Sequence, residues 1–418
     1  MPVPVVQSVM RRVVSVGNTG AHYRPAGAVM KRALCTTRNI YNTDNDSLID
    51  ILAEWKVPAY RAKQIREWVY VKGIESFEDM NNVPMSLRKK CTDTFRFGDL
   101  STKLELISKK DSTVKRVYAL PDQQLIESVL MPYSSGRTTA CISSQAGCGM
   151  NCSFCATGQM GFSRQLSANE IFEQVLRFRN LLLGGDTDTP RSLSNIVFMG
   201  MGEPLANYDN VMLAVRRIMG ELGIGARHIT ISTVGIPPRI RKLAHESVTG
   251  WEGDSSSLQV NLAVSLHCAT DAKRSSIMPV NRRYPIEELM DACKYYTQVT
   301  NRRITFEWAL IAGETDTHQS AIELGSLLAG SGMKQLCHVN VIPLNPTDDF
   351  SGQPSTKLAV QAFIDTLRRE FGIIATPRVR RGIDIDAGCG QLKSDVVKKL
   401  KRERLASAAR KEAELVHT

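Results

Sequence analysis

Two hydrophobic periodicities divide the chain. Between about Ser47 and Phe97 apolar residues recur at helical spacing, as in Leu48, Ile51, Leu52 and Trp55. Pro58 falls in the first turn of a second predicted helix, where its missing N–H costs nothing. From about Ser101 to Met131 the pattern shortens to the runs Leu104–Lys109, Val114–Leu120 and Leu125–Leu130. Turn residues Asp111-Ser112 and Pro121-Asp122 separate them, so a small antiparallel meander is predicted. From Thr138 onward strands and helices alternate. The predicted strands are Thr138–Ser143, Asn195–Gly200, His228–Thr233, Gln259–His267, Ile304–Ile311 and Leu336–Leu344. The predicted helices are Ala168–Leu183, Asn207–Leu222, Pro238–His245, Ile286–Thr300, His318–Gly330 and Thr356–Phe371. Six such β/α units make an α/β fold with a parallel sheet, open or closed into a partial (β/α)6 barrel. Chemistry in such barrels belongs at the C-terminal ends of the strands.

Five segments follow: a basic leader over 1–43, a helical domain over 44–100, the meander over 101–135, the α/β body over 136–375 and a C-terminal segment over 376–418. The leader holds no Asp or Glu before Asp44 and carries Arg11, Arg12, Arg24, Lys31, Arg32 and Arg38 among hydroxyl and small residues. That composition reads as a transit peptide for a mitochondrion or plastid; the alternative is a basic tail on a cytoplasmic protein. The segment GWEGDSSS from Gly250 reads as a loop insertion, and the Lys- and Arg-rich tail from Lys393 as a surface helix or a frayed end that could touch RNA.

A net charge of +11 favours a polyanionic partner, because neutralised phosphates release counterions, although it also serves solubility. Arg61, Lys63, Arg66, Arg88, Lys89 and Lys90 form either a basic face for RNA or ordinary solvated helix surface. No apolar run approaches the ~20 residues that span a bilayer. Ten cysteines in 418 residues do not make a secreted disulfide framework, so a reducing compartment is expected.

Three of those cysteines, Cys148, Cys152 and Cys155, stand at C-x3-C-x2-C just after the first predicted barrel strand. Three thiolates fix three irons of a [4Fe–4S] cluster and leave the fourth open to a small molecule. Structural zinc wants four closed ligands, and no second nearby pair supplies them. The spacing is similar to that of the radical S-adenosylmethionine (SAM) superfamily. After the second strand comes Gly200-Met201-Gly202-Glu203-Pro204. The glycines allow a ligand close to the backbone, and Glu203 offers a carboxylate to an ammonium group. Leu205 breaks a dinucleotide-binding fingerprint there. Ser232, Ser265, His267 and Asn345 fall at later strand ends and would face the same rim. Singly each reads as a cap or turn residue. Cys141 lies on the first strand, and Cys389 lies in the Gly-flanked stretch DIDAGCGQ. A thiolate there is a candidate nucleophile; an idle exposed thiol is the alternative.

In chain order, CISSQAGCGMNCSFCATGQMGF, FMGMGEPL, ITISTVGI, VSLH, VIPLNP and RGIDIDAGCGQL resemble the RlmN/Cfr family of radical SAM RNA methyltransferases, over roughly Ser47 to Gln391. The resemblance implies a [4Fe–4S] cluster on Cys148, Cys152 and Cys155, with SAM held by Gly202, Glu203, Ser232, Ser265, His267 and Asn345. It implies two SAM molecules per turnover: one methylates Cys389, and a second yields the 5′-deoxyadenosyl radical that activates the methyl group. Glu127 would remove the ring proton, and Cys141 would release the product by forming a disulfide with Cys389. The implied product is an adenosine methylated at carbon-2 in large-subunit rRNA, with tRNA as a second substrate. A flavodoxin or ferredoxin would supply electrons to a monomeric enzyme. Methylation at carbon-8 stays open, since the family shares its motifs between the two outcomes. So does a non-catalytic Fe–S protein that binds RNA, although such a protein has no use for Cys141 or Cys389.

Overall fold

The computed structural model describes residues 37–184, 192–250, 258–347 and 350–392. The leader before residue 37, most of the GWEGDSSS insertion and the charged tail lie outside the described residues. The chain forms two compact units, Met1–Asp99 with Arg179–Ser192, and Leu100–Phe178 with Leu193–Thr418.

In the first unit, strand β1 (Arg38–Asn39) pairs in parallel with β2 (Phe95–Arg96). Between them run α1 (Asn45–Glu54), α2 (Tyr60–Arg66) and α3 (Met85–Thr94). Asp44 caps α1 by accepting from the Ser47 N–H, and α2 continues into a π-helical turn over Glu67–Val71. Leu48, Leu52, Ile65, Val69 and Met80 form its buried centre. Residues 38–43, which the acid-poor composition places with the leader, carry the buried Ile40 and Tyr41 and belong to this unit. Several of its cations lie over aromatic rings: Arg61 over Tyr60, Arg66 over Tyr70 and Lys90 over Trp55.

The second unit is built on one ten-stranded sheet. Its strands are β3 (Ser101–Ile107), β4 (Val114–Ala119), β5 (Leu125–Pro132), β6 (Thr138–Cys141), β9 (Asn195–Phe198), β10 (Ile229–Thr233), β11 (Asn261–Ser265), β12 (Ile304–Leu310), β13 (Cys337–Pro343) and β14 (Ala375–Pro377). β7 (Gln145–Gly147) and β8 (Phe162–Gln165) form a separate antiparallel ribbon. All six predicted barrel strands are present and pair in parallel in chain order, β6 to β9 through β13. β14 adds a seventh parallel strand. The predicted helices appear as α5 (Ala168–Leu183), α6 (Tyr208–Leu222), α7 (Pro237–Thr249), α9 (Ile286–Thr300), α10 (His318–Gly330) and α11 (Lys357–Phe371). The short α4 (Ala156–Gln159) follows Cys155, and α8 (Asp271–Ile277) follows β11.

The meander is not a separate body. β5 pairs antiparallel with β6, so β3–β4–β5 extends the barrel sheet beyond its first parallel strand. The shared register aligns Lys115, Val129, Cys141 and Val197 in one cross-strand row. Ser128 faces α5 and donates to Gln174 Oε1 at 2.6 Å. Its neighbours Glu127 and Val129 therefore face the opposite side, the barrel interior, as do Lys115 and Cys141.

Candidate active site

The cluster loop leaves β7 and returns through β8. Cys148 N–H donates to Gly161 O at 2.8 Å, and Ser153 N–H donates to Ile277 O at 3.0 Å. The loop is thus fixed at its base and near its middle by backbone bonds rather than by its cysteine side chains. Cys148, Cys152 and Cys155 line one pocket with Gly202, Glu203, Ser232, Ser265, His267, Asn345 and Cys389. The structure therefore brings together ten of the twelve residues singled out from sequence. The other two, Cys141 and Glu127, do not line it.

Burial pushes the Cys148 thiol up to about 12 and raises Cys152 well above its ordinary value, with neighbouring cysteines and Glu203 adding to both. Such thiols ionise only when a metal's charge compensates them. No three His, Cys, Asp or Glu side chains among the described residues converge on a point for a single ion. A cluster places each thiolate on a different iron, and the three cysteines lining one pocket fit that donor pattern.

Glu203 is buried, not an exposed turn acid. Its Oε1 accepts from Leu205 N–H at 2.9 Å and its Oε2 from Val234 N–H at 2.8 Å. Burial raises its carboxyl to about 7, against the pull of those N–H groups. An arriving ammonium group would reverse that shift. Gly202 lets the turn before Glu203 pack against β7. Its φ is +101°, and a Cβ there would lie 2.6 Å from the Cβ of Gln145.

His267 sits at the end of β11 with φ +59°. Its Nδ1 accepts from Ala309 N–H at 2.9 Å, which leaves the proton on Nε2. Burial lowers its basicity to about 3, with Arg274 adding to the effect, so the ring is a neutral donor. Phe154 of the cluster loop packs edge-on against it at 4.9 Å. Asn345 Nδ2 donates to Cys389 O at 3.0 Å, while its buried Oδ1 has no hydrogen-bond partner. A buried amide oxygen left open inside a pocket fits a site built for a polar ligand.

Cys389 is solvent-accessible at the pocket mouth. Its loop is held to the cluster side: Ala156 N–H donates to Gly390 O at 2.8 Å and Thr157 Oγ1 to Leu392 O at 2.7 Å. Surrounding protein raises the Cys389 thiol and the Arg378 guanidinium lowers it. Cys141, buried at the end of β6, is pushed up to about 12 by burial and then by Cys389, again opposed by Arg378. One guanidinium therefore acts on both thiols. The expected disulfide between them is not present: all nine cysteines among the described residues are free. Glu127 lies inside the sheet's inner face, 3.7 Å from Lys115 Nζ.

Several site residues escaped the sequence reading. Arg274 is fully buried and donates to Leu266 O, Val234 O, Ser265 O and Asn281 Oδ1 at 2.6–3.1 Å, binding the ends of β10 and β11 together. Its surroundings in sequence, DAKRSS, look like helix surface. Arg378 lies 3.6 Å from Glu307, which accepts from Asn340 Nδ2 at 2.8 Å. An acid inside the apolar run ITFEWALI was the available signal for that pair.

The comparisons agree with this geometry. Residues 142–324 match the radical SAM superfamily model, and residues 38–96 match the ribosomal RNA large subunit methyltransferase N-terminal domain. The dual-specificity RNA methyltransferase RlmN 1 of Myxococcus xanthus is 44% identical over 89% of this chain and 99% of its own length. A probable dual-specificity RNA methyltransferase RlmN of Clostridium perfringens is 41% identical over 86% of this chain and 98% of its own. A crystal structure of a radical SAM methyltransferase from Sphaerobacter thermophilus matches with a TM-score of 0.76 at 42% identity, covering 85% of this chain and 99% of that one. The cluster loop, the ligand-ready pocket and this near full-length similarity converge: the chain belongs to the RlmN family of radical SAM RNA methyltransferases.

Proposed function

We propose that the protein methylates carbon-2 of an adenosine in large-subunit rRNA, and of a tRNA adenosine as a second substrate, through a methyl group carried on Cys389. The observation that carries this reading is the placement of Cys389. It is accessible, lines the same pocket as the three cluster cysteines, and shares the influence of Arg378 with a second thiol, Cys141. Cys148, Cys152 and Cys155 would hold the [4Fe–4S] cluster. Glu203, the His267 Nε2 donor and the open Asn345 Oδ1 would orient SAM, with Ser232 and Ser265 on the same wall. When bound in its reduced form, this pair of groups supplies the radical chemistry that removes a hydrogen atom from the methyl group on Cys389.

Cys389 gives up its thiol proton and takes a methyl group by displacement at carbon. After hydrogen removal its methylene adds to carbon-2 of the base, which then loses its ring proton to Glu127 and one electron to the oxidised iron–sulfur cluster that Cys148, Cys152 and Cys155 would hold. Cys141 as thiolate then forms an S–S bond with Cys389. The bond from Cys389 to the methylene carbon breaks, and that carbon takes a proton to become the product methyl group. A dithiol reductant returns the two cysteines to the free state seen in the structure. Two SAM molecules are consumed per product, and a flavodoxin- or ferredoxin-like protein supplies the electrons to a monomer. The target base leaves its stack to reach Cys389, at a cost of a few kcal/mol.

Cys389→Ala tests the relay. In anaerobically reconstituted protein the cluster should assemble with its usual absorbance while RNA methylation disappears; methylation at the wild-type rate would refute the reading. Nucleoside mass spectrometry of wild-type product against carbon-2 and carbon-8 standards fixes the position. The acid-poor leader supports import into a mitochondrion or plastid. Residues 1–43 fused to a fluorescent reporter should direct it to one of those organelles, and a diffuse cytoplasmic signal would refute import.

A further inference from the structure

Lys115 is a buried lysine that the proposed reaction leaves without a task. Its side chain is 3% exposed, and that of Glu127 beside it is 1%. Its Nζ lies 3.7 Å from Glu127 Oε2 and donates to Asp386 O at 3.0 Å. Asp386 stands three residues before Cys389. The lysine therefore touches two parts of the reaction apparatus, the candidate base on β5 and the loop that carries the methyl group. Through the register it also lies in the row of Cys141, two strands away, with Val129 between them.

Fold stability alone does not account for this arrangement. Isolating an ammonium and a carboxylate from water costs several kcal/mol, and apolar replacements of similar volume are often neutral or better. Around Lys115 the same hairpin grips the Cys389 loop repeatedly. Ser108 Oγ donates to Asp384 Oδ1 at 2.7 Å, and Lys109 N–H donates to Asp384 Oδ2 at 3.0 Å. Gly382 N–H donates to Asp111 Oδ2 at 3.0 Å, and Arg381 Nη2 to Asp111 O at 2.9 Å. These contacts fix residues 381–384 to the β3–β4 turn. Lys115 reaches the same loop from the buried face of the sheet, at Asp386 O.

We propose that Lys115 is a positioning residue: it pairs with Glu127 on the barrel's inner face and anchors the Cys389 loop beside it, so that base and methyl carrier keep a fixed separation. The inference rests on the methyl-relay reading above for its consequence, but the tie itself is independent of that reading. A Met at 115 keeps the volume and removes the charge and the donor. An Arg keeps both.

The test uses the full chain with its cluster reconstituted, in wild type, Lys115→Met and Lys115→Arg. Hydrogen exchange of the peptide spanning 381–392 reads the tie without any reaction. Exchange should accelerate in K115M and stay near wild type in K115R; unchanged exchange in K115M overturns the proposal. The second readout is 5′-deoxyadenosine released per adenosine methylated, which overall destabilisation would not move, because it lowers both products together. Loss of alignment should raise that ratio by about tenfold in K115M, with K115R near wild type. A wild-type ratio in K115M, or no rescue by Arg, overturns the positioning role. Should K115M fail to fold, Asp384→Ala removes an exposed tie of the same hairpin and should move both readouts in the same direction; no movement there overturns the proposal. A wild-type enzyme that forms 5′-deoxyadenosine but no methylated RNA refutes the relay reading instead, and the exchange measurement still judges the tie.

Discussion

Replacing Glu203 by Gln should flatten part of the pH dependence of stability in the metal-free protein. Burial lifts this carboxyl from 4.5 to about 7. The folded state then holds the proton more tightly than the unfolded state does. Below the unfolded value both states are protonated and the group costs nothing. As pH rises toward the folded value, the unfolded chain ionises first and stability falls. The full window corresponds to about 3 kcal/mol, of which about 2 kcal/mol lies between roughly pH 5.5 and pH 8. Gln cannot ionise, so it escapes that loss. Its amide also turns an N–H toward one of the two backbone donors that Glu203 accepts, at a pH-independent cost of about 1 kcal/mol. Thermal unfolding followed by circular dichroism should show E203Q gaining on wild type by about 2 °C between those pH values in a chain of 418 residues. Melting curves that stay parallel across the range refute the reasoning. The same variant, reconstituted with its cluster, should bind SAM at least tenfold more weakly, since a charge-assisted bond contributes about 1.5–3 kcal/mol.

Two further outcomes follow from the site. Cys141→Ala removes the thiol that would release the product, so a covalent protein–RNA adduct should accumulate and survive denaturing electrophoresis; full turnover without an adduct would exclude Cys141 from that step. Gly202→Ala places a Cβ 2.6 Å from Gln145 at a left-handed backbone position, a strain of about 1–3 kcal/mol. Equilibrium binding should show SAM affinity lost while circular dichroism stays close to wild type; unchanged affinity would mean that the turn does not shape the pocket.

The alternation of apolar runs was enough to find six barrel strands, because buried parallel strands are short, apolar and bounded by turns. It could not show that β5 pairs with β6, since a meander looks the same whether it stands alone or extends a larger sheet. β14 stayed hidden because three residues, Ala-Thr-Pro, carry no periodicity. In the site, the cysteine spacing and the glycine turn before Glu203 were legible because their chemistry is local in sequence. Arg274, Arg378 and Lys115 were not. Each is a cation with partners on other elements of the fold, and in sequence a buried Lys or Arg is indistinguishable from a solvated one. Lys115 lies in VKRVYA, where strand alternation gives Lys115 and Val117 one face and Arg116 the other, yet nothing local says which face is inside.

The bond from Ala156 N–H to Gly390 O joins the residue after Cys155 to the residue after Cys389. In a workshop sense the two reacting parts are dimensioned from one datum. A misfit elsewhere in the barrel shifts both together, so errors do not accumulate along the chain of elements that separates them in sequence. The fold can then tolerate drift elsewhere, while the gap that matters is set across a single peptide contact.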